Sequence, residues 1–73
     1  MTPQALIVQV IRDAATLGPI VADGDIFEGC SENGYDDLTD SEFYAACTVA
    51  IARGYISPMA GHANAFTSNM CEF

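Results

Sequence analysis

Seventy-three residues, 51% of them hydrophobic and including three Tyr and four Phe, make at most one domain. A chain this short buries only about 60% of its unfolded surface, so its core is small. The formal net charge is −8, with Arg12 and Arg53 the only Lys or Arg residues. That excludes docking on nucleic-acid phosphates and on anionic membrane surfaces, both of which require clustered cations.

Thr2-Pro3 is a helix start, because Thr caps free backbone N–H groups and Pro at the first helical position loses no bond. Leu6, Ile7, Val10, Ile11, Ala14 and Leu17 recur at helical spacing, with Gln9, Arg12, Asp13 and Thr16 on the other face. This predicts an amphipathic helix over residues 3–16, stopped by a left-handed Gly18 and by Pro19. Residues 20–27 hold two short β-prone runs around Asp23-Gly24, the signature of a tight hairpin with Phe27 as its inward support. From Gly29 to Asp37 the chain is polar and turn-rich, with Asn33-Gly34 a second turn signal.

A second helix is announced at Thr39. Thr39 and Glu42 form a capping box, and Leu38 with Phe43 forms a hydrophobic staple. The helix is expected to run to about Arg53, where Gly54 is the stop. Phe43, Ala46, Cys47, Ala50 and Ile51 share one face, whose small residues admit the backbone of the first helix. Tyr55-Ile56-Ser57 reads as a further strand, ended by Pro58.

The expected fold is therefore a small single α+β domain. Two amphipathic helices pack on a short β-hairpin, with an acidic loop before the second helix. Residues 1–57 form the compact core, and 58–73 a C-terminal tail, loosely docked or partly disordered. The helix–strand–helix–strand order resembles small winged-helix domains in outline, while the charge argues against DNA contact.

Eight of the ten carboxylates fall between Asp23 and Glu42, with no Lys or Arg among them. Within this stretch Ser31 to Phe43 resembles the EF-hand calcium loop: Asn33 falls at its third position, Leu38 at its eighth and Glu42 at its twelfth. The resemblance implies calcium binding. Ser31 replaces the first Asp, Tyr35 removes the fifth ligand, and Asp36 sits where that loop needs Gly. An entering helix would have to pass Gly24 and Gly29, which disfavours it. Cys30, Cys47, His62 and Cys71 lack the close spacing of a structural zinc site, and no nucleophile–base motif stands out. No catalytic residue, metal ligand or cofactor is assigned.

Like charges at this density repel one another, which points to a partner supplying the missing cations. Two carboxylate pairs have no local capping or turn role: Glu28 with Glu32, and Asp36 with Asp37. Tyr35, in the predicted loop, and Tyr44, pointing off the core face of the second helix, are aromatic anchors of the kind that interfaces use. These six residues are the expected partner-binding surface. The expected function is a non-enzymatic protein-binding module. It would cover a basic surface of a larger machine, such as RNA polymerase, a nuclease or a defence complex, and inhibit or regulate it. Phage and mobile-element inhibitors are of this type, and nucleic-acid mimicry is one mechanism. The alternatives are a divergent EF-hand-like calcium binder and an oligomeric assembly protein, a homodimer included. An odd number of cysteines, no signal-peptide pattern and no membrane-length apolar run suggest a reducing cytoplasmic setting, the host's if phage-encoded.

Overall fold

The computed structural model describes residues 2–62 and 64–70. Its elements are α1 (Pro3–Leu17), β1 (Ile20–Ala22), α2 (Asp23–Glu32), α3 (Asp40–Ala52), β2 (Ile56–Pro58) and β3 (Ala65–Ser68). The three strands form one antiparallel sheet in the order β1-β3-β2. Val21 lies opposite Phe66, and Ser57 opposite Thr67. The chain is a small α+β domain of three helices and a three-stranded antiparallel sheet. Helix α2 and strand β3 are additional to the elements read from the sequence.

Helix α1 is capped as its sequence requires, with the Ala5 N–H donating to Thr2 Oγ1 at 3.2 Å. It packs against both α2 and α3. Its buried face is Ile7, Val8, Val10, Ile11 and Ala15. Leu17, expected in the core stripe, is 87% exposed instead. The helix meets its neighbours along a stripe rotated toward Val8 and Ala15, so Leu17 at its end lies outside the core. Gly18 is extended (φ −161°) rather than left-handed, since the following Pro19 pushes the residue before it out of the helical region.

Helix α3 starts with the predicted box: the Glu42 N–H donates to Thr39 Oγ1 at 3.2 Å, and the Thr39 N–H to Glu42 Oε1 at 3.1 Å. It buries Phe43, Ala46, Cys47 and Ala50. At its end Gly54 takes φ +80°, which lets the Tyr55 N–H close on the Ala50 carbonyl at 3.0 Å.

The hairpin expected around Asp23-Gly24 is absent. Neither residue has positive φ, and helix α2 begins there. The Asp25 carboxylate accepts from the Ala22 N–H at 3.1 Å, and Asp23 and Asp25 sit at the positive end of the helix dipole. Ile26 and Cys30, four residues apart, are fully buried, and this burial outweighs the helix cost of Gly24 and Gly29. Phe27 consequently points outward and stacks on Phe43, ring centroids 5.3 Å apart. The acidic loop shrinks to residues 33–39.

The segment expected as a tail supplies β3, the middle strand, which bonds to both other strands. Phe66 is buried in the core and Met70 packs against it. Ser68 Oγ donates to the Ala15 carbonyl, and the Ser68 N–H to the Pro19 carbonyl at 2.8 Å, which ties the sheet to the end of α1. The compact unit thus extends beyond residue 57. Cys71 and Phe73 lie outside the described residues.

Candidate functional site

The six residues expected to bind a partner fall on different parts of the surface. Glu28 and Glu32 are on α2, one helical turn apart, not in a loop. They line a groove of about 430 Å³ between α1 and α2, together with Asp13, Asp25, Val10, Ala14, Leu17 and Ile20. Four carboxylates thus surround an apolar floor, and no Lys or Arg lines the groove. Two large apolar side chains, Leu17 (87% exposed) and Ile20 (54% exposed), stand at its mouth.

Asp36 and Asp37 are exposed in the loop. Asp36 accepts a hydrogen bond from Ser31 Oγ at 2.6 Å, which folds the loop back on the end of α2. Tyr35 is not a free anchor. Its ring packs against the core, and its hydroxyl donates to Glu42 Oε2 at 2.5 Å. Tyr44 is exposed and meets Phe43 edge-on at 5.3 Å. Phe27 stacks on the same Phe43 ring, and neither Phe27 nor Tyr44 lines the groove. The structure therefore brings Glu28 and Glu32 together in the groove, which neither Tyr35 nor Tyr44 lines.

Asp13, Leu17, Ile20 and Asp25 were missed as site residues. Asp13 and Leu17 are spaced i, i+4 on α1, but nothing in the sequence says that this stripe faces α2.

The cations lie elsewhere. Arg12 and Arg53 line a second groove with Gln9, Val49 and Tyr55, where the Arg12 guanidinium sits 5.7 Å from the Tyr55 ring centroid. Helix α3 opens with Asp40 and Glu42 and carries no Lys or Arg from Asp40 to Ala52.

The calcium-loop register does have an entering helix, contrary to expectation, since α2 runs through Gly24 and Gly29. Its last position is nevertheless committed to protein contacts. Glu42 Oε1 accepts from the Thr39 N–H and from Thr39 Oγ1 at 3.0 Å, and Oε2 accepts from Tyr35. Among the described residues no three His, Cys, Asp or Glu side chains converge as a metal site. Cys30 and Cys47 are buried free thiols. Burial raises both, Cys47 to about 11, so neither is a ready thiolate nucleophile.

The Tyr35–Glu42 bond makes the loop anchor pH-sensitive in a defined way. The hydrogen bond to Glu42, helped by burial and by the nearby negative charges of Glu42 and Asp37, raises the Tyr35 phenol from 10.0 to about 12. The same bond, with the Thr39 bonds, lowers Glu42 below its ordinary value. A raised acid is held protonated by the fold, so the Tyr35 contribution is complete below pH 10.0 and is lost as pH rises toward 12. The Glu42 contribution is present above its ordinary value of 4.5 and is lost on acidification below it. Titrating phenolate absorbance should show one of the three tyrosines ionising near 12, and Glu42→Gln should return it toward 10.0. A Tyr35 phenol that ionises near 10.0 in the wild type would contradict the anchor.

No protein-family model, no curated protein and no solved structure matches this chain.

Proposed function

We propose that this chain is a small acidic protein-binding module, without catalytic activity of its own. It covers a basic surface of a larger macromolecular machine and inhibits or regulates it. The observation that carries this reading is the segregation of charge. The carboxylates from Asp23 to Glu42 run along α2, the loop and the start of α3, while Arg12 and Arg53 share a separate groove. A surface kept charged for solubility interleaves both signs. One that concentrates a single sign gains long-range steering toward an oppositely charged partner.

The test is affinity capture from the source organism's lysate with the wild-type chain and with a fourfold reversal, Glu28→Lys, Glu32→Lys, Asp36→Lys and Asp37→Lys. All four side chains are exposed, so the reversal should keep the helical circular dichroism and the cooperative melt. The wild type should retain a basic protein at low salt and release it as salt rises, because exposed charges are screened within about 8 Å at physiological ionic strength. The reversed chain should retain none. Equal capture by both chains would overturn the proposal.

A further inference from the structure

The spacing of side chains along the α1–α2 groove specifies what fits it. Asp25, Glu28 and Glu32 line it from α2 at i, i+3 and i+7, a run of about 10 Å at a rise of ~1.5 Å per residue. Asp13 joins them from α1, and Val10 and Ala14 lie between. Leu17 and Ile20 are 87% and 54% exposed. Both line the groove of about 430 Å³ yet leave most of their surface to solvent, so covering them takes an occupant large enough to reach over both.

We propose that this groove takes a basic amphipathic helix of the partner protein. Its Leu or Ile side chains cover Leu17 and Ile20, and its Lys or Arg side chains meet Asp25, Glu28 and Glu32. This assignment rests on the protein-binding reading and narrows it to one site and one partner chemistry. The occupant is helical because its cations must repeat as the carboxylates do. A second helix matches i, i+3 and i+7 along its length, whereas a strand advances ~3.3 Å per residue and falls out of step. The occupant is basic because no Lys or Arg lines the groove and like charges three and four residues apart on α2 repel one another. It is amphipathic because the floor and mouth are apolar. Two packed helices leave a furrow into which a third fits, at the usual ~8–10 Å between axes.

Two synthetic peptides of about 18 residues, roughly five helical turns, test this by calorimetry and amide chemical shifts at physiological ionic strength. Both have the same Leu and Lys content. One places Leu on a single helical face, and the other is scrambled so that no face forms. The amphipathic peptide should bind at least ~tenfold more tightly and shift the amides of Asp13, Leu17, Ile20, Glu28 and Glu32. Leu17→Ser with Ile20→Ser should weaken it by a further ~tenfold or more, since two apolar side chains lose their cover. Glu28→Lys with Glu32→Lys should abolish binding, and serves if the serine variant fails to fold. Thr67→Ala, exposed on β3 and outside the groove lining, should change affinity by less than about twofold. Equal binding of both peptides, shifts confined to the 33–39 loop, or no binding of either peptide would overturn the groove assignment. The broader reading is judged separately, by lysate capture. If the fourfold reversal loses the partner while Leu17→Ser with Ile20→Ser retains it, the protein-binding reading stands and the groove falls. If the fourfold reversal also retains it, both fall.

Discussion

Replacing Phe66 by Ala is expected to leave a large fraction of the protein unfolded at room temperature. Phe66 is 7% exposed on the middle strand of the sheet, opposite Val21 on one side and Pro58 on the other. Truncating a buried Phe costs about 3–5 kcal/mol, from lost burial and from the cavity left behind. The core of a domain this small supplies only ~3–5 kcal/mol of net stability, so the two terms nearly cancel. Urea denaturation followed by circular dichroism measures the loss. Thr67→Ala, an exposed neighbour on the same strand, is the control and should stay within about 0.5 kcal/mol. Equal stability of the two variants would mean that residues 65–68 do not hold the fold together, as in the tail reading.

Gly29→Ala should destabilise the protein, although Ala is the better helix former. An added Cβ at residue 29 would lie 2.6 Å from Val10 Cγ1, far inside contact distance. Val10 is β-branched, sits on a helix and is buried, so its side chain has one strongly preferred rotamer and little room to yield. Overpacking of this kind costs about 1–3 kcal/mol, against a gain of ~1 kcal/mol in helix propensity. The stiffness of Val10 places the cost toward the upper end, for a net loss of about 2 kcal/mol. The sign should reverse in a Val10→Ala background. There the clash is gone and the propensity gain remains, so Gly29→Ala should stabilise by up to ~1 kcal/mol. The same sign in both backgrounds would contradict the close α1–α2 approach that shapes the groove floor.

Local signals were read correctly where local physics decides the outcome. The Thr2 cap, the Thr39–Glu42 box and the Gly54 stop each depend on neighbours within five residues, and each is present. The buried face of α3 likewise follows from the spacing of Phe43, Ala46, Cys47 and Ala50. The errors share a cause in long-range packing. Asp23-Gly24 satisfies a turn and a helix start about equally well. The choice went to the helix because Ile26 and Cys30 have a core to enter and Gly29 permits close contact with Val10. Residues 65–68 have no period that marks a strand, yet they form one because β1 and β2 both lack a partner without them.

By itself the sequence determined a small α+β domain, two of its helices with their ends, and an acidic surface poor in cations. Those properties are composition, or interactions between residues close along the chain. Only the tertiary structure decided which carboxylates share a surface. It drew Tyr35 onto Glu42 and left Tyr44 out of the groove that Glu28 and Glu32 line. It also set Asp13, Leu17 and Ile20 from one part of the chain beside Asp25, Glu28 and Glu32 from another. A groove between two helices depends on the angle and depth at which they pack. Here that depth is governed by the contact of Gly29 with Val10, nineteen positions apart in the chain.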